Sequence, residues 1–351
     1  MMHGGSLDVR VVALDARLEP QWDAFVRDQE AGTFYHLSGW RHVFARAFGH
    51  DCPYLVALAG DRVVGVLPLV HLKTPLFGNR LVSTAFLVYG GPVAIDHRVR
   101  AALTGAAVER AEALGVSHLE YRSLVPGEEG RDWQVESARY ATFFKDLHDT
   151  DEANLKAIPR KQRAEVRKGI KAGLTSEVAG DVDLLHHFLA LSFRNLGTPA
   201  FSKRYLRTIL DVFGDAAELL TIQAPAGPVG AVLSFHFRDQ VLPYYSGTQV
   251  EARAQGVNDF LYWEVMRRAV ARGARRFDFG RSKVDTGPYK FKKYWGFEPV
   301  PLHYEYRLVR ATEVPDASPM NPKYRLAIAA WKRLPLPVSK RLGPLLSWQL
   351  G

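Results

Sequence analysis

Apolar residues in this chain recur with two spacings, every second residue in some stretches and every third or fourth in others, and the switches between them delimit elements. An alternating run at Val9 to Leu14 predicts an opening strand, and Glu19 to Asp28 a helix. Trp40, Val43, Phe44, Ala47 and Phe48 then fall at i, i+3, i+4, i+7 and i+8, behind Ser38 as N-cap and ahead of Gly49 as stop, which predicts a second helix. Tyr54 to Ala59 and Val63 to Leu72, joined at Gly60-Asp61, predict a hairpin. Leu81 to Tyr89 predicts a third strand closed by Gly90-Gly91-Pro92. Arg98 to Leu114 predicts a helix ending at Gly115, followed by strands His118 to Leu124 and Tyr140 to Leu147.

From Asp151 the same programme restarts. Val64-Gly65-Val66-Leu67-Pro68-Leu69-Val70-His71 is echoed by Val229-Gly230-Ala231-Val232-Leu233-Ser234-Phe235-His236, and Leu119 to Ser123 by Phe277 to Ser282. Leu184 to Asn195 and Ser202 to Phe213 read as helices, and the Asp181, Asp183, His186 and His187 group as an Asp-capped helix start rather than a metal site. The division is two tandem α/β (α+β) domains, 1–150 and 151–310, with a Pro-rich, basic amphipathic tail at 311–351. Each half runs helix, helix, three antiparallel strands, helix, strand, short helix or loop, strand. That order excludes a barrel and an ordinary doubly wound sheet. It resembles the GNAT acyltransferase fold, which implies a mixed, largely antiparallel sheet flanked by helices in each half.

Composition narrows the setting. The chain has 351 residues, 47% of them hydrophobic, and a formal charge of +9, which favours anionic partners. The only cysteine, Cys52, forms no intramolecular disulfide and suits a reducing compartment. The N-terminus lacks an apolar signal core and no window approaches a spanning helix, so the expectation is a cytoplasmic protein, soluble or peripheral on the cytoplasmic face of the inner membrane. The tail, with Leu326, Ile328, Trp331 and Trp348 among Lys323, Arg325, Lys332, Arg333, Lys340 and Arg341, either lies on an anionic membrane or packs back on the domains.

Candidate chemistry concentrates in Arg275 to Pro299. A strand with Phe277 and Phe279 inward delivers Asp278, Arg281, Ser282, Lys283 and Asp285 to a loop, and Tyr289 to Trp295 interleaves lysines with aromatics. Upstream, Arg253-Ala254-Gln255-Gly256-Val257-Asn258 resembles the acyl-CoA phosphate loop of the GNAT fold, where backbone N–H groups at a helix start hold a pyrophosphate. Between the halves, Arg160, Arg163, Arg167 and Lys171 share one face of a predicted helix with Lys168 beside them, a cationic stripe for phosphates or tRNA. Tyr35, Trp40 and Tyr89 are candidates for an acceptor groove in the first half, which follows its strand with Pro126-Gly127-Glu128-Glu129-Gly130 and has no lysine-aromatic segment.

Arg163-x-x-x-Arg167-Lys168, Asn258-Asp259-Phe260-Leu261-Tyr262-Trp263, Phe277-Asp278-Phe279-Gly280 and Phe291-Lys292-Lys293-Tyr294-Trp295-Gly296 together resemble the FemAB family. The likeness extends along nearly the whole chain and is strongest to the branch associated with the exosortase/PEP-CTERM system. That resemblance implies transfer of an acyl or aminoacyl group onto a saccharide- or peptide-containing envelope or exopolysaccharide precursor, with no tightly bound cofactor. It assigns Lys292, beside Phe291, charge stabilisation at the leaving group. On the acyltransferase pattern, Tyr244 or Tyr245 is a proton donor and Asp278 an orienting group or proton acceptor. The donor is either aminoacyl-tRNA or acyl-CoA. A third reading is a non-catalytic subunit of a polysaccharide assembly complex.

Overall fold

The structure, a computed structural model, describes residues 8–127, 132–178, 180–314 and 322–351. In chain order it begins with β1 (Val9–Ala13), α1 (Glu19–Asp28), α2 (Gly39–Phe48), β2 (Leu55–Ala59), β3 (Arg62–Leu67), β4 (Val70–Thr74), β5 (Gly78–Val82) and β6 (Val93–Ala94). Then come α3 (His97–Leu114), β7 (His118–Ser123), β8 (Trp133–Glu136), β9 (Tyr140–Asp146), α4 (Asp151–Ala157) and α5 (Arg160–Lys171). The second programme is β10 (Thr175–Val178), α6 (Val182–Leu196), α7 (Lys203–Phe213), β11 (Ala217–Ala224), β12 (Gly227–Phe237), β13 (Gln240–Thr248), α8 (Val257–Ala271) and β14 (Arg276–Asp278). It closes with β15 (Ser282–Lys283), α9 (Gly287–Tyr294), β16 (Glu298–Pro301), β17 (His303–Leu308), α10 (Pro322–Arg333) and α11 (Leu336–Ser347).

These elements form two compact units, and the division differs from a cut at 150 and 310. The first unit takes the chain up to Ser137, the segment from Leu302 and the last three residues, Gln349–Gly351; the second takes Ala138 to Pro301 and the tail as far as Trp348. Strand β9, expected in the first domain, lies inside the sheet of the second unit, between β14 and both β15 and β16. Strand β17, expected in the second domain, lies inside a sheet of the first, between β7 and β8. Hydrogen-bond demand explains why pairing overrides sequence order: an internal strand satisfies both its edges, and the alternation along β9 and β17 is indifferent to which sheet supplies the neighbours.

In the first unit the sheet orders are β1-β2-β3-β6 and β4-β5-β7-β17-β8. The run from Val63 to Leu72 is two strands in two sheets rather than one, because Pro68 supplies no N–H to continue a ladder. The counterpart, β12, stays continuous, and the register shift opposite Leu233 and Ser234 puts a bulge on its neighbour β13. The strand expected at Leu81 to Tyr89 stops at Val82. The backbone then turns through left-handed Thr84 and Phe86, at φ 47 and 68, with the Thr84 side chain filling the space a Cβ on Gly90 needs. Helix α3 starts where the Asp96 carboxylate accepts from the Val99 N–H and ends at left-handed Gly115. It buries Val99 and Leu103 against Val64, Leu67 and Leu119.

The second unit has one sheet in the order β10-β11-β12-β13-β14-β9-β15, with β16 also on β9. Asp181 caps α6 by accepting from the Asp183 and Leu184 N–H groups, and Ser202 caps α7 through Tyr205 N–H. Among the described residues no group of His, Cys, Asp and Glu is arranged to hold a metal. The core joins Phe260, Leu261 and Val265 of α8 to Phe277, Phe279, Trp295 and Phe297, with Phe143 of β9 among them. Helices α10 and α11 pack against α6, so of the two expectations for the tail this structure realises packing on the unit. Residues 128–131 and 315–321, which carry Glu128, Glu129, Gly130, Pro315 and Pro319, lie outside the described residues.

Candidate functional site

The second unit's sheet contains a fork. Strands β13 and β14 run parallel but pair only at Gln240 with Arg276 and Val241 with Phe277. Strand β14 ends at Asp278 while β13 continues to Thr248, so their edges part beyond Val241. The register shift between β12 and β13 leaves Tyr244 as the extra residue, half-buried against Tyr245 and Phe235 with ring centroids 4.7 and 5.5 Å apart. Tyr245 is buried and its hydroxyl is 2.9 Å from that of Tyr205 on α7, the position of a core tyrosine. Further along, Ser246 Oγ and Tyr262 Oη are 2.9 Å apart, and Tyr262 stands edge-on to Phe279 at 4.6 Å.

At the end of β14 the chain turns at Gly280, whose φ of 71 suits glycine. Asp278, 1% exposed, organises this turn: its Oδ1 accepts from the Gly280 N–H at 2.8 Å and from Thr142 Oγ1 at 3.3 Å. Lys292 closes it from the other side. Its Nζ donates to the Gly280 carbonyl at 2.8 Å and the Arg281 carbonyl at 3.2 Å, and lies 5.4 Å from the ring centres of both Phe143 and Phe279. Burial lowers the Lys292 pKa to about 7; the Asp278 charge opposes that fall and Arg281 reinforces it. The turn projects Arg281 over the Tyr140 ring at 4.8 Å, and Ser282 and Lys283 pair with Ala141 and Tyr140 as β15. Phe291 is half-buried near Tyr262, Phe279 and Trp295.

The other arm of the fork leads through a single 3-10 turn, Glu251–Gln255, to Gly256 and the start of α8. Arg253 and Gln255 are exposed; Gly256 is buried with φ 77; Asn258 accepts from Thr248 Oγ1 at 2.7 Å. Helix α5 lies on this start. A Cβ on Gly256 would collide with the Glu165 carbonyl oxygen, and one on Gly169 would come 2.7 Å from Phe260 Cβ. Val166 and Gly169 face inward, leaving Arg160, Arg167, Lys168 and Lys171 exposed and Arg163 half-buried, donating to the Lys156 carbonyl at 2.9 Å. Lys168 pairs with Glu165 at 3.8 Å. The cationic stripe therefore borders the helix N-terminus rather than standing apart from it.

Asp278, Arg281, Ser282, Lys283 and Lys292 thus meet around one turn, with Arg160, Arg163, Arg167, Lys168, Arg253, Gln255, Gly256 and Asn258 in the α5–α8 zone of the same unit. Tyr35, Trp40 and Tyr89 do not line an open groove: at 0%, 0% and 2% exposure they are core of the first unit, with Tyr35 edge-on to Tyr89 at 5.4 Å. Large aromatics at helical spacing find burial more favourable than lining a wet surface. Two residues given no role by sequence reasoning matter here. Asp259, in the first turn of α8, accepts from Trp295 Nε1 at 2.8 Å, and burial raises its pKa to about 6. Phe143 reaches Lys292 from β9, a contact no local pattern signals.

Residues 160–293 match the family model described as acetyltransferase (GNAT) domain, which spans α5 to α9 and so includes the fork, the Gly280 turn and the cationic helix. The chain carries this domain and is an acyltransferase enzyme. No curated protein matches the sequence. Among solved structures it is similar to FemX, at 16% identity and a TM-score of 0.66, with 91% of this chain and 100% of that chain covered. A tandem GNAT protein from the clavulanic acid biosynthesis pathway is similar at 16% identity and a TM-score of 0.54, covering 85% and 98%. L-PGS from Bacillus licheniformis matches at 14% identity and 0.53, covering 92% and 98%. At these identities the likeness is one of fold.

Proposed function

We propose that this enzyme transfers an aminoacyl group from aminoacyl-tRNA to an amine or hydroxyl of a cell-envelope or exopolysaccharide precursor, at the fork between β13 and β14. The acceptor class follows the resemblance to the FemAB family and its exosortase/PEP-CTERM branch, with the enzyme on the cytoplasmic face of the inner membrane. The observation that carries the donor is the seating of α5 on the start of α8. A pyrophosphate needs one helix N-terminus. Here the N-terminus is extended by a 12-residue helix, about 18 Å long, with exposed cations along its length. That extent suits a polynucleotide backbone.

In the transfer the acceptor nitrogen or oxygen forms a bond to the donor carbonyl carbon, the ester C–O bond breaks, and the acceptor's proton passes to the leaving ribose hydroxyl. Lys292 holds the Gly280 turn, and with it Arg281 and Lys283, beside the fork. The competing donor is acyl-CoA, favoured by the Gly256 turn alone. A titration of charged tRNA against a salt series separates them. Binding is expected to weaken as salt rises, and the slope of log K on log salt to shrink by about 2 in an Arg160→Ala, Arg163→Ala, Arg167→Ala triple variant. Thermal stabilisation by an acyl-CoA with none by tRNA reverses the assignment.

A further inference from the structure

Helix α11 carries apolar side chains on both sides, Leu336 and Leu346 being half-buried on the inner one. Its face toward the second unit is Ser339, Gly343 and Ser347, all buried, and a Cβ on Gly343 would come 2.7 Å from the Ala200 carbonyl oxygen. The opposite face carries Val338, Leu342 and Leu345 at 39%, 40% and 63% exposure, with exposed Arg341 among them. These positions fall at i, i+3, i+4 and i+7, one side of the helix. A helix bordered by water buries its apolar stripe and exposes its polar one. On α10, Leu326 is 82% exposed and shares its outward side with exposed Arg333, while Trp331 is buried.

Charge identifies the occupant. No Asp or Glu follows Asp316 in the sequence, and Arg325, Lys332, Arg333 and Arg341 are all exposed. A second copy of this face sets like charges against one another. An anionic bilayer surface accepts both the leucines and the cations. Helices of 12 residues each do not span a bilayer, and no helix among the described residues is long and apolar enough to cross one.

We propose that the outer face of α10 and α11 docks on an anionic lipid surface, with Leu326, Val338, Leu342 and Leu345 entering the boundary of the acyl chains and Arg333 and Arg341 among the headgroups. This deepens the envelope-directed reading by naming the surface the enzyme works on, and it is tested without turnover. Full-length protein is sedimented with vesicles of phosphatidylcholine alone or with about one third phosphatidylglycerol. The expected result is binding to the anionic vesicles about tenfold or more tighter than to neutral ones. Leu342→Glu with Leu345→Glu is expected to lower it by about tenfold or more, and Arg341→Ala by about fivefold, at unchanged thermal unfolding. Leu326→Glu on the other helix provides a second, independent loss. The proposal is overturned if the wild type stays in the supernatant with both vesicles, or if the glutamate variants sediment as the wild type does. It is equally overturned if the wild type is a dimer that those variants split, since a second copy then covers the stripe. Loss of vesicle binding with salt-sensitive tRNA binding intact removes the membrane face alone; the converse removes the donor alone.

Discussion

An ammonium between two phenyl rings gives up most of its hydration, and Lys292 recovers part of that loss from the Gly280 and Arg281 carbonyls. Its folded pKa, about 7, lies below the unfolded value of a lysine, so the unfolded chain binds the extra proton between those limits. Stability from this group therefore rises with pH from about 7 toward the ordinary lysine range, and below pH 7 the cost of burying the charge is fully present. Urea unfolding of Lys292→Met against the wild type at pH 7 and pH 9.5 measures this. The stability difference, wild type minus variant, is expected to grow on the order of 3 kcal/mol between the two. A difference independent of pH rules out a neutralised lysine. Transfer activity in the same variant is expected to fall, because Arg281 and Lys283 lose the clamp on their turn. Lys292, Arg281 and Asp278 were legible in the sequence because cations and aromatics alternate beside a strand end. Their buried partners Thr142 and Phe143 were not, since nothing local to Tyr140–Asp146 says which sheet it joins.

Among the elements, α5 and the start of α8 meet through two glycines. Gly256 is both left-handed, at φ 77, and pressed on the Glu165 carbonyl. Gly256→Ala is expected to cost about 2 kcal/mol or more in urea unfolding, from backbone strain and displacement of α5 together. Gly105→Ala, on the exposed face of α3 with nothing within 4 Å of the added carbon, is expected to stabilise by about 0.5–1 kcal/mol. Equal effects at the two sites contradict the close packing of α5. The cationic stripe of this helix could be read from spacing, and so could the turn at Gly256. Their adjacency could not, because it depends on the absent side chain at Gly169, and a missing atom leaves no periodicity. The Asp cap of α6 and the stops at Gly49 and Gly115 were legible, each being a local demand for a hydrogen bond or a left-handed residue, whereas the caps at Asp96 and Ser202 emerge from the structure. Ser38 holds the N-cap position of α2, but its side chain makes no capping hydrogen bond there.

At the scale of the molecule, the repeated programme was visible as two matching strings, whereas the exchange of their final strands was not. Alternation specifies the faces of β9 and β17 and leaves the partner open. Fragments 1–150 and 151–351, expressed separately, each lack an internal strand, His303–Leu308 in one and Tyr140–Asp146 in the other. Each is expected to unfold at markedly lower urea concentration than the intact chain, or to aggregate through the vacated strand edges, while co-expression restores a soluble pair. Independent, cooperative folding of either fragment would contradict the exchange. The two strands also fix an order in time. When Tyr140–Asp146 leaves the ribosome, the sheet that receives it has not been made, and the first unit waits for His303–Leu308, about 190 positions beyond Leu114 at the end of its own last helix, before its five-stranded sheet can close. Neither unit can be finished while the strand that completes it has no partner, so the first cannot close before most of the second has been synthesised.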